Sequence, residues 1–222
     1  MNLTIDLEKL KNCVSQFAPE KNINSRLLSI FSAAITTADE GIIKLSILKA
    51  KENSITPQQL YEIVLQSYLF LGFPKMLTAA EYLGKYYPSA HTMSGNGKIS
   101  TVEADDWYNR GTDLCKLVYK NNYDPLKTKV EKIAPEIFRW MVFEGYGKVL
   151  SRSELNIKDR ELSIIAFLMM ENMVKQLHSH ILGALNVGVE ISLIKQVIED
   201  IGQSAGDGYL VAVDILTKVG NV

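Results

Sequence analysis

The chain has almost none of the residues that build disulfide frameworks or metal clusters. Only two of its 222 residues are cysteines, Cys13 and Cys115, and they lie far apart, with no Cys-x-x-Cys pair and no zinc-ligand spacing. This excludes a disulfide scaffold, a zinc ribbon and vicinal-dithiol redox chemistry. Two isolated cysteines are typical of reduced thiols, so we expect a cytoplasmic protein.

An excess of one charge and long hydrophobic runs are also lacking. The chain has 24 lysines and arginines against 25 aspartates and glutamates, a net charge of −1, so no basic field is present to hold nucleic acid. No apolar run reaches the ~18–20 residues of a membrane helix. The opening segment, MNLTIDLEKLKN, has no signal-peptide pattern. We therefore expect a soluble protein with neither a nucleic-acid nor a membrane partner.

Glycine and proline are sparse, with 14 and 6 residues, and apolar residues recur at helical spacing along almost the whole chain. No segment alternates with period two for long enough to predict a sheet, so we predict an all-α fold. The clearest helix start is Thr56-Pro57, with Thr56 as N-cap and Pro57 at the first helical position. The one stretch of loop composition, PSAHTMSGNGKISTVE, predicts a linker over 91–105 between units 1–90 and 106–222.

The two units resemble each other. Shifted by 134 positions, residues 27–83 lie on residues 161–217 without a gap, and Leu28-Ser29-Ile30 falls on Leu162-Ser163-Ile164. The apolar register is shared over four helical segments, as a duplicated unit must keep its buried face. The polar residues differ, because Leu27, Ile42 and Ser46 of the first unit correspond to Glu161, Gln176 and His180 of the second. We therefore expect any chemistry in the second unit, with the first as scaffold.

Gln176 and His180 are four residues apart and share a helix face. His178 points elsewhere, so it cannot form a metal-binding pair with His180. From spacing alone, His180 is either a hydrogen-bonded histidine inside a helix bundle or an acid–base group. Glu161 heads an apolar helix, where it either favours the helix dipole or, buried against a histidine, orients the ring and raises its basicity.

Two further candidates precede these residues. Arg152 is suited to clamp a carboxylate through its forked donors, or it is a solvated or helix-capping arginine. Tyr146 stands between Gly145 and Gly147, which suggest a bend. The chain has no glycine-rich phosphate signature.

The second half resembles the carboxymuconolactone decarboxylase family from about Arg110 to Val219. The family pattern places Glu-Tyr/Trp-Gly-x-x-Trp-Ser-Arg, Arg-Glu-Leu, Gln-Leu-x-x-His and Ala-Leu-x-x-Gly in this order. The corresponding segments here are Glu144-Gly-Tyr-Gly-Lys-Val-Leu-Ser-Arg152, Arg160-Glu161-Leu-Ser, Gln176-Leu-His-Ser-His180, and Gly183-Ala184-Leu followed by Gly188. The resemblance implies the all-helical alkylhydroperoxidase-D-like fold. Two tandem copies, the first degenerate, would then form a pseudo-dimer, and three chains would form a homo-oligomer that mimics a hexamer.

The resemblance also implies a decarboxylase, a lyase without metal or organic cofactor, that acts on a small carboxylated lactone of aromatic-compound catabolism. In that role His180 is the general acid, Glu161 orients it and Gln176 donates a hydrogen bond to the lactone oxygen. Arg152 holds a substrate carboxylate, and Tyr146 lines the pocket.

Departures from the family pattern leave alternatives open. Leu150 replaces the usual tryptophan, and Asp207-Gly208 stands where the family turn has proline. Peroxidase relatives carry a Cys-x-x-Cys that would occupy Met173 and Gln176, so dithiol peroxidase activity is not expected. The alternatives are a non-enzymatic oligomeric protein that binds a small molecule, and a peroxidase-like (peroxiredoxin) activity on this fold without the dithiol.

Overall fold

The computed structural model describes residues 5–88 and 101–220, and within these ranges the chain is all-helical, with no strand. The fold class predicted from apolar spacing is confirmed. The helices are α1 (Leu7–Gln16), α2 (Ile23–Thr37), α3 (Glu40–Glu52), α4 (Pro57–Tyr86), α5 (Thr101–Tyr119), α6 (Tyr123–Ile133), α7 (Pro135–Trp140), a π-helical segment (Met141–Leu150), α8 (Ile157–Met170), α9 (Val174–Asn186), α10 (Ile191–Ile201) and α11 (Asp207–Gly220).

Local sequence accounts for the helix boundaries. Thr56 caps α4 through a reciprocal capping box with Gln59, and Pro57 occupies the first turn, as predicted. Asn156 caps α8 by accepting a hydrogen bond from the Asp159 backbone N–H. The predicted linker lies mostly outside the described residues, but its end is helical, because α5 begins at Thr101. The expected bend at Gly145 and Gly147 is also wrong, because both belong to the π-helical segment.

The helix bounds recur along the chain at the interval of 134 residues. Helix α2 begins at Ile23 and α8 at Ile157, and α3 begins at Glu40 and α9 at Val174. The long helix α4 corresponds in the same way to α10 and α11 together. Its break at Gly72, where φ is +77°, corresponds to the break at Gly206, where φ is +57°. Both glycines adopt a left-handed backbone that other residues rarely accept.

Helices α2 and α8 pack against each other at the centre of the fold. Each also contacts a helix of the opposite half: α2 packs against α10, and α8 packs against α4. At one of these contacts Arg26 makes a bidentate ion pair with Asp200, with N···O distances of 2.6 and 2.7 Å. At the other, Arg160 donates to Glu62 at 2.8 Å and to Gln66 at 3.3 Å. Arg160 and Glu62 are fully buried, so this second contact removes both charges from water.

Helix α4 is, among the described residues, long and apolar enough to cross a membrane by length and composition, with a mean hydropathy of 1.3. One such helix is weak evidence for a span, because the core helix of a soluble protein passes the same test. It packs against α2, α3 and α8 and carries the buried Glu62. In the single chain, 28% of the apolar window of α4 is buried.

Helix α5 crosses the π-helical segment at very short range. A Cβ added at Gly111 would lie 2.1 Å from the Val142 carbonyl oxygen, and one added at Gly147 would lie 2.0 Å from the Trp107 carbonyl oxygen. The two backbones therefore touch, which only glycine allows. Helix α5 also packs against α9, so it joins the two elements that carry the candidate residues.

We expect Glu62→Gln to lower the free energy of unfolding by about 3–5 kcal/mol, because the substitution leaves the buried Arg160 without a countercharge. Urea unfolding followed by circular dichroism measures the change. Glu40→Gln is the matched control, since Glu40 pairs with Lys85 at the surface, where loss of an ion pair has little effect on stability. Equal losses in the two variants would contradict the role of the buried pair.

The same carboxyl predicts a pH dependence of stability. Burial raises the pKa of Glu62, but hydrogen bonds from Arg152 and Arg160 outweigh it and hold that pKa below the usual glutamate range. A carboxyl whose pKa is depressed by folding stabilises the chain above its unfolded pKa, and this contribution is lost as the pH falls through the folded pKa. Below about pH 5, wild type should therefore lose stability more steeply than Glu62→Gln. If the free energies of unfolding of wild type and Glu62→Gln changed in parallel with pH, Glu62 would not be the source of this pH dependence.

Candidate functional site

A cavity of about 400 Å³ lies among α4, the end of α5, the helix from α7 through the π-helical segment, and α9. Its walls are mostly apolar and are formed by Leu69, Phe70, Ile137, Trp140, Met141 and Leu150. Its polar side chains are Tyr119, Glu144, Tyr146, Gln176 and His180. A small number of polar groups in an apolar cleft is the usual composition of a small-molecule site.

His180 and Glu161 form a buried pair at this cavity. His180 Nδ1 lies 2.9 Å from Glu161 Oε2, and the side chains of the two residues are 8% and 0% exposed. The histidine Nε2 has no hydrogen-bond partner among the described residues, and the ring lines the cavity. The pair thus leaves one ring nitrogen accessible to a bound molecule, while the other is held by a carboxylate. Glu161 is thus buried against the imidazole at the fifth residue of α8, and it is not an exposed residue at the helix end.

Two neighbours fix the geometry of the pair. The Phe70 ring packs edge-on against the imidazole, with centroids 5.7 Å apart, and stacks on Phe167 on its other side. Gly183 lies one turn after His180, and a Cβ there would come within 2.9 Å of Glu161 Oε2 and 2.8 Å of Val118 Cγ1. The prediction that this glycine admits a close neighbour is confirmed. The neighbours are the Glu161 carboxylate and the Val118 side chain of α5.

The second oxygen of the Glu161 carboxylate, Oε1, is buried without a hydrogen-bond partner among the described residues. Near this carboxylate, the pKa of Cys115 is raised to about 12, mainly by burial and to a smaller extent by the charge of Glu161. Burial also raises the pKa of Tyr119 to about 12, against a hydrogen bond with Tyr146, and raises that of Tyr146 well above 10. These three groups keep their protons near neutral pH.

The structure places the other predicted residues as follows. Gln176 lies one turn before His180 on the same face and is exposed at the cavity mouth, as their spacing predicted. Tyr146 is buried and lines the cavity, also as predicted. His178 points away and lines a separate cavity of about 270 Å³ with Asn122 and Lys129. No group of three metal-ligating side chains occurs in the described ranges.

Arg152 is not among the residues that line the cavity, and its role as a carboxylate clamp stays a prediction. Its guanidinium binds Glu62 instead, with Nε 2.9 and 3.0 Å from the two carboxylate oxygens and Nη2 2.9 Å from Oε1. The forked geometry expected of this arginine is present, but its partner is a side chain of α4.

Sequence reasoning missed several residues of the site. Cys115 and Tyr119 are four residues apart on α5 and so present one face to Glu161. The spacing of Cys115 and Tyr119 is visible in the sequence, but nothing in the sequence indicates that they lie close to residues 161–180. Phe70 belongs to the first half of the chain, which was expected to be scaffold alone.

We expect Gly183→Ala to destabilise the chain by about 1–3 kcal/mol, because its Cβ would overlap Val118 and Glu161 Oε2. The His180 ring should also lose its orientation, which the imidazole NMR signals report. Gly145→Ala is the control, because a Cβ there meets nothing within 4 Å. An unchanged unfolding midpoint and imidazole spectrum in Gly183→Ala would contradict the close approach.

Comparison with known proteins adds no assignment. No protein-family model matches the chain, and no curated protein matches it.

Proposed function

We propose that the chain consists of two copies of one alkylhydroperoxidase-D-like helical unit, packed as a pseudo-dimer, and that the second copy is of the carboxymuconolactone decarboxylase type. The recurrence of helix bounds and breaks at an interval of 134 residues supports the duplication. The reciprocal contacts of α2 with α10 and of α8 with α4 support the paired arrangement. The family-like segments that contain Tyr146, Glu161 and His180 meet at one cavity, which supports the family resemblance.

We propose that the protein is a cofactor-free acid–base enzyme that transfers a proton at carbon on a small lactone-like molecule. The observation that carries the proposal is the buried His180–Glu161 pair with Nε2 open to the cavity. Glu161 accepts a hydrogen bond from Nδ1–H, fixes the ring and stabilises the imidazolium. Nε2 then gives its proton to, or takes one from, a substrate carbon.

The negative charge that develops during the proposed reaction determines which groups the site must supply. When a proton or carbon dioxide leaves the carbon next to a conjugated lactone, the remaining electron pair spreads onto the lactone carbonyl. An amide donor at the cavity mouth stabilises that oxygen, and Gln176 is placed for this role. Protonation of the conjugated carbon by His180 Nε2–H then completes the reaction. Decarboxylation of a carboxylated lactone and isomerisation of an uncharged one share this last step.

The alternatives draw less support from the structure. A thiol-dependent peroxidase needs a thiolate, but Cys115 is buried and its pKa is raised to about 12. A purely structural His180 would be bonded to backbone, whereas its partner here is a buried carboxylate beside a cavity.

Loss of turnover in His180→Ala tests the catalytic role. We expect wild type to convert 4-carboxymuconolactone or the uncharged α-angelica lactone. The change in ultraviolet absorbance measures the rate of conversion. The variant should be slower by about 10²–10⁴-fold, the usual contribution of a general acid or base. His178→Ala is the matched control, because it removes a histidine two residues away on the opposite face. Equal rates in the two variants would exclude His180, and no turnover of either lactone by wild type would exclude lactone chemistry.

We also propose a homo-oligomer, three two-copy chains forming a pseudo-hexamer. The support is a set of large apolar side chains left exposed on the corresponding helices, Phe73 and Leu77 in α4 and Leu210 and Val213 in α11. Light scattering after size-exclusion chromatography should give three chain masses for wild type. Leu77→Asp together with Leu210→Asp should reduce that mass, since charges are depleted from interface cores. A monomeric wild type would contradict the proposal.

A further inference from the structure

The cavity has no positive side chain in its wall. Among the lining residues that the structure describes, none is a lysine or an arginine, and the one carboxylate is that of Glu144. A site for a carboxylated substrate usually offers an arginine fork or a lysine. This cavity offers an anion instead.

Glu144 is held in its charged form. Its Oε1 accepts hydrogen bonds from the Tyr68 hydroxyl at 2.6 Å and from Lys148 Nζ at 2.9 Å. Burial raises its pKa, but these two hydrogen bonds outweigh that effect and the pKa lies below the usual glutamate range. Its Oε2 has no hydrogen-bond partner in the described part of the chain. A carboxylate that enters the cavity therefore meets the carboxylate of Glu144, whose Oε1 is paired with Lys148 and whose side chain is 38% exposed.

Three cations of the surrounding helices are committed to other carboxylates. Arg152 and Arg160 both bind Glu62, and Lys75 binds Glu171 at 2.5 Å. To release Arg152 for a substrate would leave the buried Glu62 with one partner fewer, which is unfavourable in a site removed from water.

The walls favour a flat, apolar molecule. Phe70 and Trp140 contribute aromatic faces, while Leu69, Met141 and Leu150 contribute aliphatic surface. Burial of apolar surface is worth about 25 cal/mol per Å², so a ring compound gains affinity here without any ionic contact.

We propose that the cavity binds an uncharged ring compound, mostly apolar, with one carbonyl oxygen at the polar end near Gln176 and His180, and that Glu144 excludes carboxylated analogues. The assignment of the polar end rests on the proposed acid–base function. The charge selectivity does not, because it follows from Glu144 and the absence of lining cations alone. The substrate class is then the uncharged lactones and cyclic enones, and the reaction is isomerisation by proton transfer and not loss of carbon dioxide.

Binding of two related probes tests this proposal. Isothermal titration calorimetry of the full chain compares coumarin, an uncharged aromatic lactone, with coumarin-3-carboxylate, which adds one negative charge to the same rings. We expect coumarin to bind and the carboxylate to bind at least about tenfold more weakly, because like charges brought together at a binding site are costly. Equal or tighter binding of the carboxylate would overturn the proposal, and so would the lack of any coumarin binding up to its solubility limit.

Two variants assign the selectivity to one side chain. Glu144→Gln should raise the affinity for coumarin-3-carboxylate relative to that for coumarin by about tenfold. Glu136→Gln makes the same change of charge at an exposed position that does not line the cavity, so it should leave both affinities unchanged. Equal effects of the two variants would mean that net charge, and not Glu144, sets the preference.

Calorimetry needs no turnover, so it separates the two proposals. If His180→Ala abolishes catalysis while wild type prefers the carboxylate, the acid–base function stands and the substrate class is wrong. If wild type selects coumarin but His180 is dispensable for turnover, the charge selectivity stands and the acid–base function is wrong.

Discussion

Two charged side chains buried next to each other at the start of α8 constrain the whole arrangement. Arg160 reaches α4 and pairs with Glu62, whereas Glu161 faces α9 and pairs with His180. Because neighbouring residues on a helix point in different directions, each charge needs its partner from a different element. Both side chains are fully buried, and an unpaired buried charge is strongly destabilising. Helices α4, α8 and α9 must therefore keep one relative position, and the site is part of the same constraint that holds the fold.

Sequence patterns predicted the parts of this arrangement that depend on local geometry. The helical class, the Thr56 cap and the shared face of Gln176 and His180 follow from spacing and capping rules, which involve neighbours in the chain. The role of Arg152 was not predictable in this way. Its partner Glu62 lies 90 residues away, and an arginine fork fits a substrate carboxylate as well as a protein carboxylate. Which one it meets depends on the packing of α4, and no pattern in the sequence states that.

The positions at which the two halves differ explain why the candidate polar residues lie in the second half. Leu27, Ile42 and Ser46 are buried, and the Ser46 hydroxyl donates to the Ile43 carbonyl oxygen at 2.8 Å. None of these side chains offers a proton-transfer group, and all are satisfied within their own half. The corresponding residues of the second half are a buried carboxylate, an exposed amide and a histidine with a free ring nitrogen. These three differences place the carboxylate, the amide and the imidazole in the second half, next to a cavity that α5, α7 and the π-helical segment also line.

One face of α4 connects the ion pairs to the cavity. Glu62, Gln66 and Phe70 are spaced by four residues, so they lie along one side of the helix. The first two bind Arg160, and the third packs against the His180 ring. A shift of α4 that weakened the ion pair would also move the ring that confines the imidazole. The first part of α4 ends at Gly72, whose left-handed backbone changes the direction of the chain immediately after the cavity wall. The first half is therefore more than a scaffold, because it supplies both the charge that positions α8 and the aromatic wall that holds the histidine in place.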